Sequence, residues 1–545
     1  MAKSVAEFAT PVSEISQIYS DVTNTFRSHK TLPLEFRLDQ LRKLYYGLTD
    51  NYELIAAATK SDLHKPDSET LITEYGFVIG EIVTAIKNLT AWAKDEVRSS
   101  DLIFHSMKPT VRKAPFGTAL IIATWNYPLM LSVPPLVGAI AAGNTAILKL
   151  SEISPASGQI IAKIINESLD STAYRAVNGE ANVTTELLQQ KFDIIFFTGS
   201  SRIGRIVSEA AAKTLTPVIL ELGGKSPAFV LDNSNLKLAA QRLAYAKFTN
   251  AGQTCVAPDY ILLKRGLEDE FLKAFANSID ILYKDLTSTS DDYGHIVNNG
   301  NFNRLIQIIN DSKGKVVIGG TQSADEKTLF IEPTVILDVK PDDSTMKDEL
   351  FGPVLPIVLI DSVNDGINYV SEHHDTPLAL YIFSKDKEVQ NRVLDHTRSG
   401  GAMINGALIH VGVPFVPFGG VGQSGTGRYH GKDSFDAFSH HRAVITEPYW
   451  TEILTNLRYP PYSESKKNLY KKVVLKKAFF PRVGTVPTSL LQRITAGVKS
   501  WYVVLIVTAL AASIAWGASR RENFLHVLCH RKFLTEFVSR FTSIF

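Results

Sequence analysis

The sequence predicts an α/β fold with parallel strands over the first 450 residues and a membrane-spanning helix near the C-terminus. From residue 1 to 450, short apolar runs alternate with longer helical patterns, which is the order of strands and covering helices around a parallel sheet. From 501 to 518, the chain is apolar and carries no charge. Eighteen helical residues extend about 27 Å, which is enough to cross a thin bilayer.

The individual elements follow from the apolar runs. The first candidate strands along the chain are 119–124, 146–150, 193–197, 218–222 and 227–231. The helices predicted beside them are 156–169, 203–214 and 236–249. Later strand-like runs predict a second α/β domain, at 260–263, 316–318, 334–337, 354–360 and 378–383.

Composition limits the class of protein. With 545 residues, of which 45% are hydrophobic, the chain can bury a large core and is expected to form two or more domains. The two cysteines, Cys255 and Cys529, do not suggest a disulfide framework. The polar first 30 residues do not resemble a signal peptide, so we expect most of the protein to face a reducing compartment.

Charge is divided unequally along the chain. The net charge is +2, but residues 465–545 hold 14 Lys/Arg and only two acids, so the first 464 residues are acidic overall. An acidic body argues against a nucleic-acid-binding surface. A basic segment beside an apolar run favours contact with an anionic membrane.

The C-terminal region is predicted to anchor the protein. Trp501 and Trp516 lie near the ends of the apolar run, as expected at membrane interfaces, although a buried core helix is the alternative. Upstream, lysine pairs among apolar residues are typical of a helix on a membrane surface or of a solvated basic face. Cys529, after the span, is expected to be an unmodified thiol, with lipidation as the alternative. The predicted segments are 451–500 (basic, membrane-proximal), 501–518 (transmembrane helix) and 519–545 (basic tail).

Cys255 is the leading candidate for a nucleophile. It is the only cysteine before residue 529 and lies in a polar, glycine-containing stretch, 250–256. A lone cysteine is more often a small buried hydrophobe. However, a carboxylate, Glu221, lies in a second glycine-containing stretch, and an amide, Asn126, lies farther upstream. A nucleophile, a base and an amide donor are the groups that acyl chemistry requires.

A nucleotide-binding turn is predicted at 196–204, between a strand and a helix that meet at Gly199, Ser200 and Gly204. Such a turn allows backbone amides and a helix N-terminus to approach a phosphate. The Gly-x-x-x-x-Gly spacing matches neither the dinucleotide fingerprint nor a P-loop, so an ordinary strand–helix turn is the alternative. Lys149 and Glu152, which follow another predicted strand, are of the types that hold ribose hydroxyls.

Seven motifs in order along the chain resemble those of the aldehyde dehydrogenase family, at 125–128, 149–152, 199–204, 221–225, 252–255, 349–353 and 419–425. Three further stretches resemble its class 3 branch, which includes membrane-bound fatty aldehyde dehydrogenases, at 255–260, 429–440 and 458–462. The resemblance therefore extends from about residue 41 to 462, and the C-terminal anchor resembles the fatty aldehyde members as well.

The resemblance implies a reaction. The Cys255 thiolate would attack the aldehyde carbon, and the Asn126 amide with the Cys255 N–H would stabilise the oxyanion. Hydride transfer to NAD would leave a thioester on Cys255. Water activated by Glu221 would then hydrolyse this thioester to the free acid.

The resemblance also implies how the cofactor is held. Glu349 would bind the nicotinamide ribose and Phe351 would pack against the ring. Lys149 and Glu152 would bind the adenine-side ribose. A carboxylate at Glu152 favours the free 2′-hydroxyl of NAD, and NADP use stays open.

Two lobes and a homodimer are implied by the same resemblance. The NAD-binding domain would comprise residues 1–98 and 113–222, and the catalytic domain residues 223–422. Extended strands at 99–112 and 436–447 would bridge subunits.

The expected substrate is a long-chain aliphatic aldehyde, because a membrane anchor suits water-insoluble substrates and the resemblance implies it. Aromatic aldehydes such as 4-hydroxybenzaldehyde are the alternative. The catalytic body is expected in the cytosol, anchored to the endoplasmic reticulum or the mitochondrial outer membrane; a lipid droplet fits a spanning helix less well. The side chains expected to line the substrate path are Tyr127, Leu129, Met130, Phe248 and Ile409.

Three other classes of protein are distinguishable by their requirements. A CoA-acylating enzyme would not need Glu221 as a hydrolytic base, and a cysteine hydrolase would need no nucleotide. A non-catalytic scaffold would not need the candidate site residues at all. No metal site is predicted, because no cysteine or paired carboxylate completes a ligand set with His430, His440 and His441.

Overall fold

The computed structural model describes residues 8–100, 102–452, 456–476, 478 and 480–489. The described residues form two compact units, one from those within 1–94 and 113–442 and the other from those within 95–112 and after 442. The helices are α1 (Val12–Arg27), α2 (Leu34–Thr49), α3 (Tyr52–Leu63), α4 (Asp67–Thr70), α5 (Gly76–Trp92), α6 (Leu102–His105), α7 (Val133–Ala142), α8 (Pro155–Ser168), α9 (Ala181–Gln189), α10 (Ser201–Ala212), α11 (Leu236–Phe248), α12 (Glu268–Leu282), α13 (Asn299–Asp311), α14 (Val363–His373), α15 (Lys387–His396), α16 (Lys432–Ala437) and α17 (Glu464–Val474).

The strands, which are short and mostly buried, are β1 (Glu96–Val97), β2 (Thr110–Pro115), β3 (Thr118–Ile122), β4 (Thr145–Lys149), β5 (Tyr174–Val177), β6 (Ile194–Thr198), β7 (Val218–Glu221), β8 (Pro227–Val230), β9 (Tyr260–Lys264), β10 (Lys315–Ile318), β11 (Thr334–Leu337), β12 (Val354–Ile360), β13 (Ala379–Phe383), β14 (Gly401–Ile404), β15 (Gly425–Thr426) and β16 (Ser439–Val444).

The first sheet has six strands in the order β15-β7-β6-β3-β4-β5. The five strands from β7 to β5 are parallel, and β15 pairs antiparallel with β7. Every residue of β3, β4 and β6 is buried, as expected for central parallel strands with helices on both faces. The carboxyl ends of β7, β6, β3 and β4 therefore lie side by side at one edge, where parallel α/β sheets bind their ligands.

The second sheet has seven strands in the order β10-β11-β12-β9-β8-β13-β14. All neighbouring strands are parallel except β10 and β11. Its core is dominated by aliphatic and aromatic side chains of β8, β9, β12 and β13. Helix α11, which follows β8, ends at Phe248, immediately before the turn Thr249–Gly252 that leads towards Cys255.

The predicted α/β class is confirmed, and the ten predicted strands lie within one or two residues of β3, β4, β6, β7, β8, β9, β10, β11, β12 and β13. The strands β5 and β14, each four residues long at a sheet edge, were not predicted. The exact domain boundaries stay a prediction.

The second unit contains β1, α6 and α17, and β1 pairs antiparallel with Thr110 and Val111 of β2. The strands β1, β2 and β16 form a three-stranded sheet in that order. Helix α17 covers part of the predicted basic, membrane-proximal segment. The predicted span 501–518 and the tail 519–545 lie outside the described residues. Among the residues that are described, none of the helices combines the length and the apolar character needed to cross a bilayer.

Candidate active site

Cys255 lies on a turn that is held by backbone carbonyls and side-chain amides. The preceding turn, Thr249–Gly252, places Asn250 and Ala251 in left-handed backbone conformations, with φ of 54° and 50°. The Gln253 side chain donates to the carbonyls of Asn250 and His295, at 3.0 and 2.9 Å, and accepts from the Val297 N–H at 3.0 Å. These hydrogen bonds attach the turn to the segment that contains His295 and Val297.

The Cys255 thiol is partly buried beside two carboxylates. Burial, and then the negative charges of Glu349 and Glu221, raise its pKa well above the usual range. The thiol is therefore protonated near neutral pH in this state. It needs a proton acceptor, or a change in the surrounding charge, before it can act as a thiolate nucleophile.

Asn126, which follows β3, is buried against the Cys255 turn. Its side-chain Nδ2 donates to the Gln253 carbonyl at 3.0 Å. A primary amide has two N–H groups, so this bond leaves one for a substrate oxygen. The structure thus brings the predicted amide donor to the turn that carries the predicted nucleophile.

Glu221, the last residue of β7, is only 3% exposed. Neither of its carboxylate oxygens has a hydrogen-bond partner among the described residues. Burial raises the pKa of Glu221 well above its usual range. A buried carboxyl without partners is costly to the fold and is a candidate for proton transfer. Its charge also acts on Cys255, so the two predicted groups lie in one site.

Glu349 and Phe351 approach the same site from the segment before β12. A Cβ atom at Gly223 would collide with the Glu349 carboxyl, so this close approach requires glycine. Burial, and then the charge of Asp259, raise the pKa of Glu349 to about 8. Phe351 has a left-handed backbone, with φ of 51°, and its ring lies edge-on to Trp125 at 5.4 Å.

A buried ionic network supports this segment, and sequence reasoning assigned it no role. Lys225 and Lys247 donate to the two oxygens of Asp259, at 2.6 and 3.5 Å. Asp259 also accepts from the Leu350 N–H, next to Glu349, at 3.2 Å. Although burial alone would raise it, the two lysines hold the pKa of Asp259 below its usual range. The sequence feature that could have pointed to this network is Lys225, the lysine of the Gly-Gly-Lys motif.

The predicted cofactor residues other than Glu349 and Phe351 follow β4 and β6 at the carboxyl edge of the first sheet. Lys149, at the end of β4, forms an ion pair with Glu152 at 2.6 Å. Gly199 and Ser200 follow β6, and the Ser200 side chain accepts from the Ile203 N–H at 3.4 Å, capping α10. At Gly204, a Cβ atom would press into the Leu222 side chain, so α10 packs closely on the sheet.

A groove of about 290 Å³ runs beside the start of α10, and its lining includes Ser201, Gly204, Gln423 and two charged side chains, Arg205 and Glu209. Its position fits a dinucleotide, because a helix N-terminus there can bind a phosphate and the carboxyl edge lies alongside. Lys149 and Glu152 are paired with each other and do not line this groove. The start of α10, with its close approach at Gly204, therefore fits the phosphates of NAD or NADP, and Lys149 and Glu152 lie outside the groove.

A separate cavity of about 250 Å³ contains Cys255 in its wall. The other lining residues are apolar or aromatic for the most part, and none carries a charge. Two hydroxyls in the wall, those of Tyr127 and Thr254, bond to each other at 2.7 Å. Ile72 and Ile409 also line the cavity and are 68% and 58% exposed, so they form an apolar rim.

Three of the five side chains expected along the substrate path line this cavity: Tyr127, Met130 and Ile409. The expectation was wrong for Leu129 and Phe248, which are fully buried in hydrophobic core clusters. Sequence alone does not separate these cases, because neighbouring apolar residues on a turn face opposite directions.

The three histidines take different positions. His430 is buried with its ring stacked on Phe418, and burial lowers its pKa to about 3. His440 and His441 belong to β16, and His441 lies 3.3 Å from Asp436. Over the described part of the chain, His, Cys, Asp and Glu side chains nowhere gather in a group that could hold a metal ion.

Comparison with known proteins agrees with this geometry. The model of the aldehyde dehydrogenase family matches residues 5–444. Human aldehyde dehydrogenase family 3 member B1 is 45% identical over 438 residues, which cover 80% of this chain and 92% of that protein. The β-apo-4′-carotenal oxygenase of Gibberella fujikuroi is 42% identical over 519 residues, or 95% of this chain and 94% of that protein.

A solved structure, the substrate-bound state of Staphylococcus aureus AldH, has a TM-score of 0.81 and 40% identity, and the match covers 84% of this chain and 99% of that chain. The family match spans both sheets and includes Asn126, Glu221, Cys255 and Glu349. The chain therefore belongs to the aldehyde dehydrogenase family, within its class 3 branch, and is an NAD(P)-dependent aldehyde dehydrogenase.

Proposed function

We propose that this enzyme oxidises long-chain aliphatic aldehydes to carboxylic acids with NAD, at a membrane surface. The observation that carries the proposal is the uncharged, largely apolar cavity that holds Cys255 in its wall. An alkyl chain gains about 0.8 kcal/mol for each CH₂ that leaves water, and this cavity provides the apolar surface for it. A substrate with a second charged group would find no partner among the residues that line it.

The first half of the reaction takes place on Cys255. Once the thiol proton has passed to solvent, the Cys255 thiolate attacks the aldehyde carbon, the C–S bond forms, and the carbonyl electron pair moves to the oxygen. The free N–H of the Asn126 amide and the backbone N–H of Cys255 stabilise that oxyanion. When bound, NAD accepts the hydride equivalent that leaves the substrate carbon, so that the substrate remains on Cys255 as a thioester.

The second half of the reaction is hydrolysis, for which Glu221 is the proposed base. Burial raises the pKa of Glu221, and a carboxylate with a raised pKa is a stronger base towards water than an ordinary carboxylate. Water adds to the thioester carbon, Glu221 takes the water proton, and the carboxylic acid leaves as the C–S bond breaks. Cys255 is thereby regenerated as a thiolate.

The proposed cofactor residues come from three places, which are the turn before α10, the end of β4 and the segment before β12. Gly199, Ser200 and Gly204 allow the phosphates to approach α10. Lys149 and Glu152 would hold the adenine-side ribose, and Glu349 with Phe351 would hold the nicotinamide end. The Glu152 carboxylate disfavours a 2′-phosphate, which is the reason for proposing NAD as the preferred cofactor.

The C-terminal segment is proposed to anchor the enzyme. The support is the charge-free run at 501–518 and the basic residues on both sides of it. We further propose a cytosolic catalytic body on the endoplasmic reticulum or mitochondrial outer membrane. We also propose a homodimer bridged by the segments 99–112, which contains α6 and the first residues of β2, and 436–447, which contains β16. The fungal relative is named a carotenal oxygenase, which is consistent with an apolar aldehyde substrate.

The test is NADH formation by the detergent-solubilised full-length protein. The substrates are hexadecanal, hexanal, 4-hydroxybenzaldehyde and succinate semialdehyde, each with NAD and with NADP. The expected order of kcat/KM places hexadecanal first and succinate semialdehyde last, because only the latter brings a second charge into the cavity. A higher kcat/KM for 4-hydroxybenzaldehyde would replace the proposed substrate class with aromatic aldehydes.

A further inference from the structure

The turn before Cys255 needs support that its own sequence does not provide. Asn250 is fully buried, and both Asn250 and Ala251 have left-handed backbones. Residues other than glycine rarely adopt this conformation, and it persists where surrounding contacts enforce it. The contacts made by Asn250 therefore indicate what holds the turn.

The Asn250 side chain connects this turn to Asn126. Its Nδ2 donates to the Asn126 carbonyl at 2.8 Å and to the Gln253 carbonyl at 3.2 Å. The same Gln253 carbonyl accepts from the Asn126 side-chain amide at 3.0 Å. Asn250 thus fixes both the backbone of Asn126 and the acceptor that orients its amide.

A short acidic and basic segment holds this arrangement from the other side. The Glu69 carboxylate accepts from the Asn250 backbone N–H at 2.9 Å. Lys65, which is fully buried, donates to the Asn126 carbonyl at 3.2 Å and to Glu74 at 2.6 Å. Glu74 in turn accepts from the Leu129 N–H at 2.9 Å. The segment 65–74 therefore braces both the turn before Cys255 and the one that carries Asn126.

The Glu69 carboxyl lies in an environment that disfavours its charged form. Burial raises the pKa of its carboxyl to about 7, although Lys65 and the Asn250 N–H act in the opposite direction. An acidic group held in this way beside a reactive centre is a candidate for a functional role. Its hydrogen bond to Asn250 shows which role the geometry allows.

We propose that Glu69 and Asn250 are positioning residues for the oxyanion site: Glu69 fixes the backbone of Asn250, and the Asn250 amide fixes Asn126. Neither residue is among those that line the cavity holding Cys255, and the Asn250 amide bonds directly to the Asn126 carbonyl, so the effect is assigned to Asn126. The proposal rests on the roles of Cys255 and Asn126 in the proposed function. It predicts a loss in the rate of acylation of Cys255 without a loss of cofactor affinity.

The first test is Asn250→Asp, measured as single-turnover NADH formation with hexanal and saturating NAD. Aspartate has nearly the same size and also tolerates a left-handed backbone, so the fold is expected to persist. However, its oxygens would face two carbonyl oxygens where the amide donated. The expected result is a burst rate about 10- to 100-fold lower, with KM for NAD within about twofold of the parent. A parent-like burst rate would overturn the proposal.

Glu69 is tested by a pair of substitutions. Glu69→Leu removes the acceptor of the Asn250 N–H and is expected to lower the burst rate by about tenfold. Glu69→Gln retains an oxygen acceptor and is expected to restore most of that rate. Equal losses in both variants would mean that charge, rather than the hydrogen bond to Asn250, is what matters, and would overturn the assigned role.

A double-mutant cycle separates positioning from general damage. Asn126→Ala alone is expected to lower the burst rate by about 10²- to 10³-fold. Adding Asn250→Asp should then cost less than about twofold more, because its effect is transmitted through the missing amide. Losses that multiply would overturn the proposal. The control is Asp386→Leu, which removes a carboxylate that accepts the Glu388 and Val389 N–H groups at the start of α15 and should lower Tm without changing the burst rate.

Failure of the proposed function would appear differently. If Cys255→Ala still formed NADH, the roles of Cys255 and Asn126 would be wrong whatever Asn250→Asp did. If Cys255→Ala were inactive but Asn250→Asp and Glu69→Leu kept the parent burst rate, only the positioning roles would be wrong. Thermal unfolding of each variant shows whether it has folded.

Discussion

Two buried carboxylates of this site, Glu221 and Asp259, have opposite surroundings. Each is 3% exposed. The oxygens of Glu221 have no hydrogen-bond partner among the described residues, and burial raises its pKa. Asp259 bonds to Lys225 and Lys247 and to the Leu350 N–H, and its pKa is lowered although burial alone would raise it.

The difference shows that burial alone does not identify a reactive carboxyl. A carboxylate with all its partners is stabilised in its charged form and serves the fold, here by holding the segment before β12. A carboxyl without partners is held at a cost to stability and keeps its lone pairs for other molecules. The two carboxyl groups therefore differ in whether positively charged and hydrogen-bonding partners surround them, and not in how deeply they are buried.

The largest expected effect comes from the thiol beside Glu221. Cys255→Ala is expected to lower NADH formation by at least about 10³-fold, because no other group in the cavity can form the covalent intermediate. Steady-state NADH production measures this loss. The matched control is Cys529→Ala, which removes the other cysteine of the chain and should keep the parent rate. Substantial activity in Cys255→Ala would place the reactive region elsewhere.

Glu221→Gln tests the carboxyl without partners directly. We expect one NADH per active site followed by a stall at the thioester, with steady-state turnover lower by about 10²- to 10⁴-fold. Its Tm should stay equal to the parent's or rise, because the substitution removes a buried group that the fold must otherwise protonate or leave uncompensated. Rapid mixing followed by steady-state assay measures both phases. Turnover at the parent rate would remove Glu221 from its assigned role.

Asp259→Asn tests the compensated carboxylate and should act on stability more than on chemistry. Two buried lysines would lose their counter-charge, and breaking such a pair costs about 3–5 kcal/mol of unfolding free energy. Denaturant unfolding measures this loss. The control is Asp361→Asn, which breaks an exposed pair with Arg265 and should cost at most about 1 kcal/mol. Similar losses in both variants would mean that the buried network contributes little.

Much of the fold was predictable because central parallel strands are continuous apolar runs. The runs at β3, β4 and β6 are fully buried and lie within one or two residues of their predicted bounds. The edge strand β5 was not predicted, because it is four residues long, begins with Tyr-Arg and lacks a continuous apolar run. Edge strands are half-protected, so their sequences carry a weaker signal.

The candidate site was predictable where chemistry and motif coincide. Cys255, Glu221 and Asn126 lie in glycine-containing or otherwise distinctive stretches, and the structure gathers them at one place. Lys65 and Glu69 were not predicted, because a buried charge and a solvated charge look alike in a sequence. The Glu69–Asn250 hydrogen bond joins residues 181 positions apart, and no local pattern reports such a contact.

The smallest expected effect concerns Glu349, whose surroundings are intermediate between those of Glu221 and those of Asp259. Burial, and then the charge of Asp259, raise the pKa of Glu349 from 4.5 to about 8, although Lys225 and Lys247 oppose the rise. Because the folded protein favours the protonated form, its contribution to stability is complete below about pH 4.5 and is lost as the pH rises through about 8. Glutamine at this position cannot ionise and should not suffer this loss.

The Tm of Glu349→Gln should therefore match the parent's at pH 5 and exceed it by a few degrees at pH 9, as measured by thermal unfolding without cofactor. A variant that becomes relatively less stable as the pH rises would instead show that the Glu349 carboxylate is compensated, as that of Asp259 is. The sign of this pH-dependent change in Tm decides whether Glu349 resembles Asp259, which supports the fold, or Glu221, the proposed catalytic carboxyl. If the Tm of Glu349→Gln exceeds that of the parent by more as the pH rises, the Glu349 carboxylate is not compensated by positive charge. Lys225 and Lys247 would then stabilise the charged form of Asp259 only, and Glu349 would remain available to a ligand.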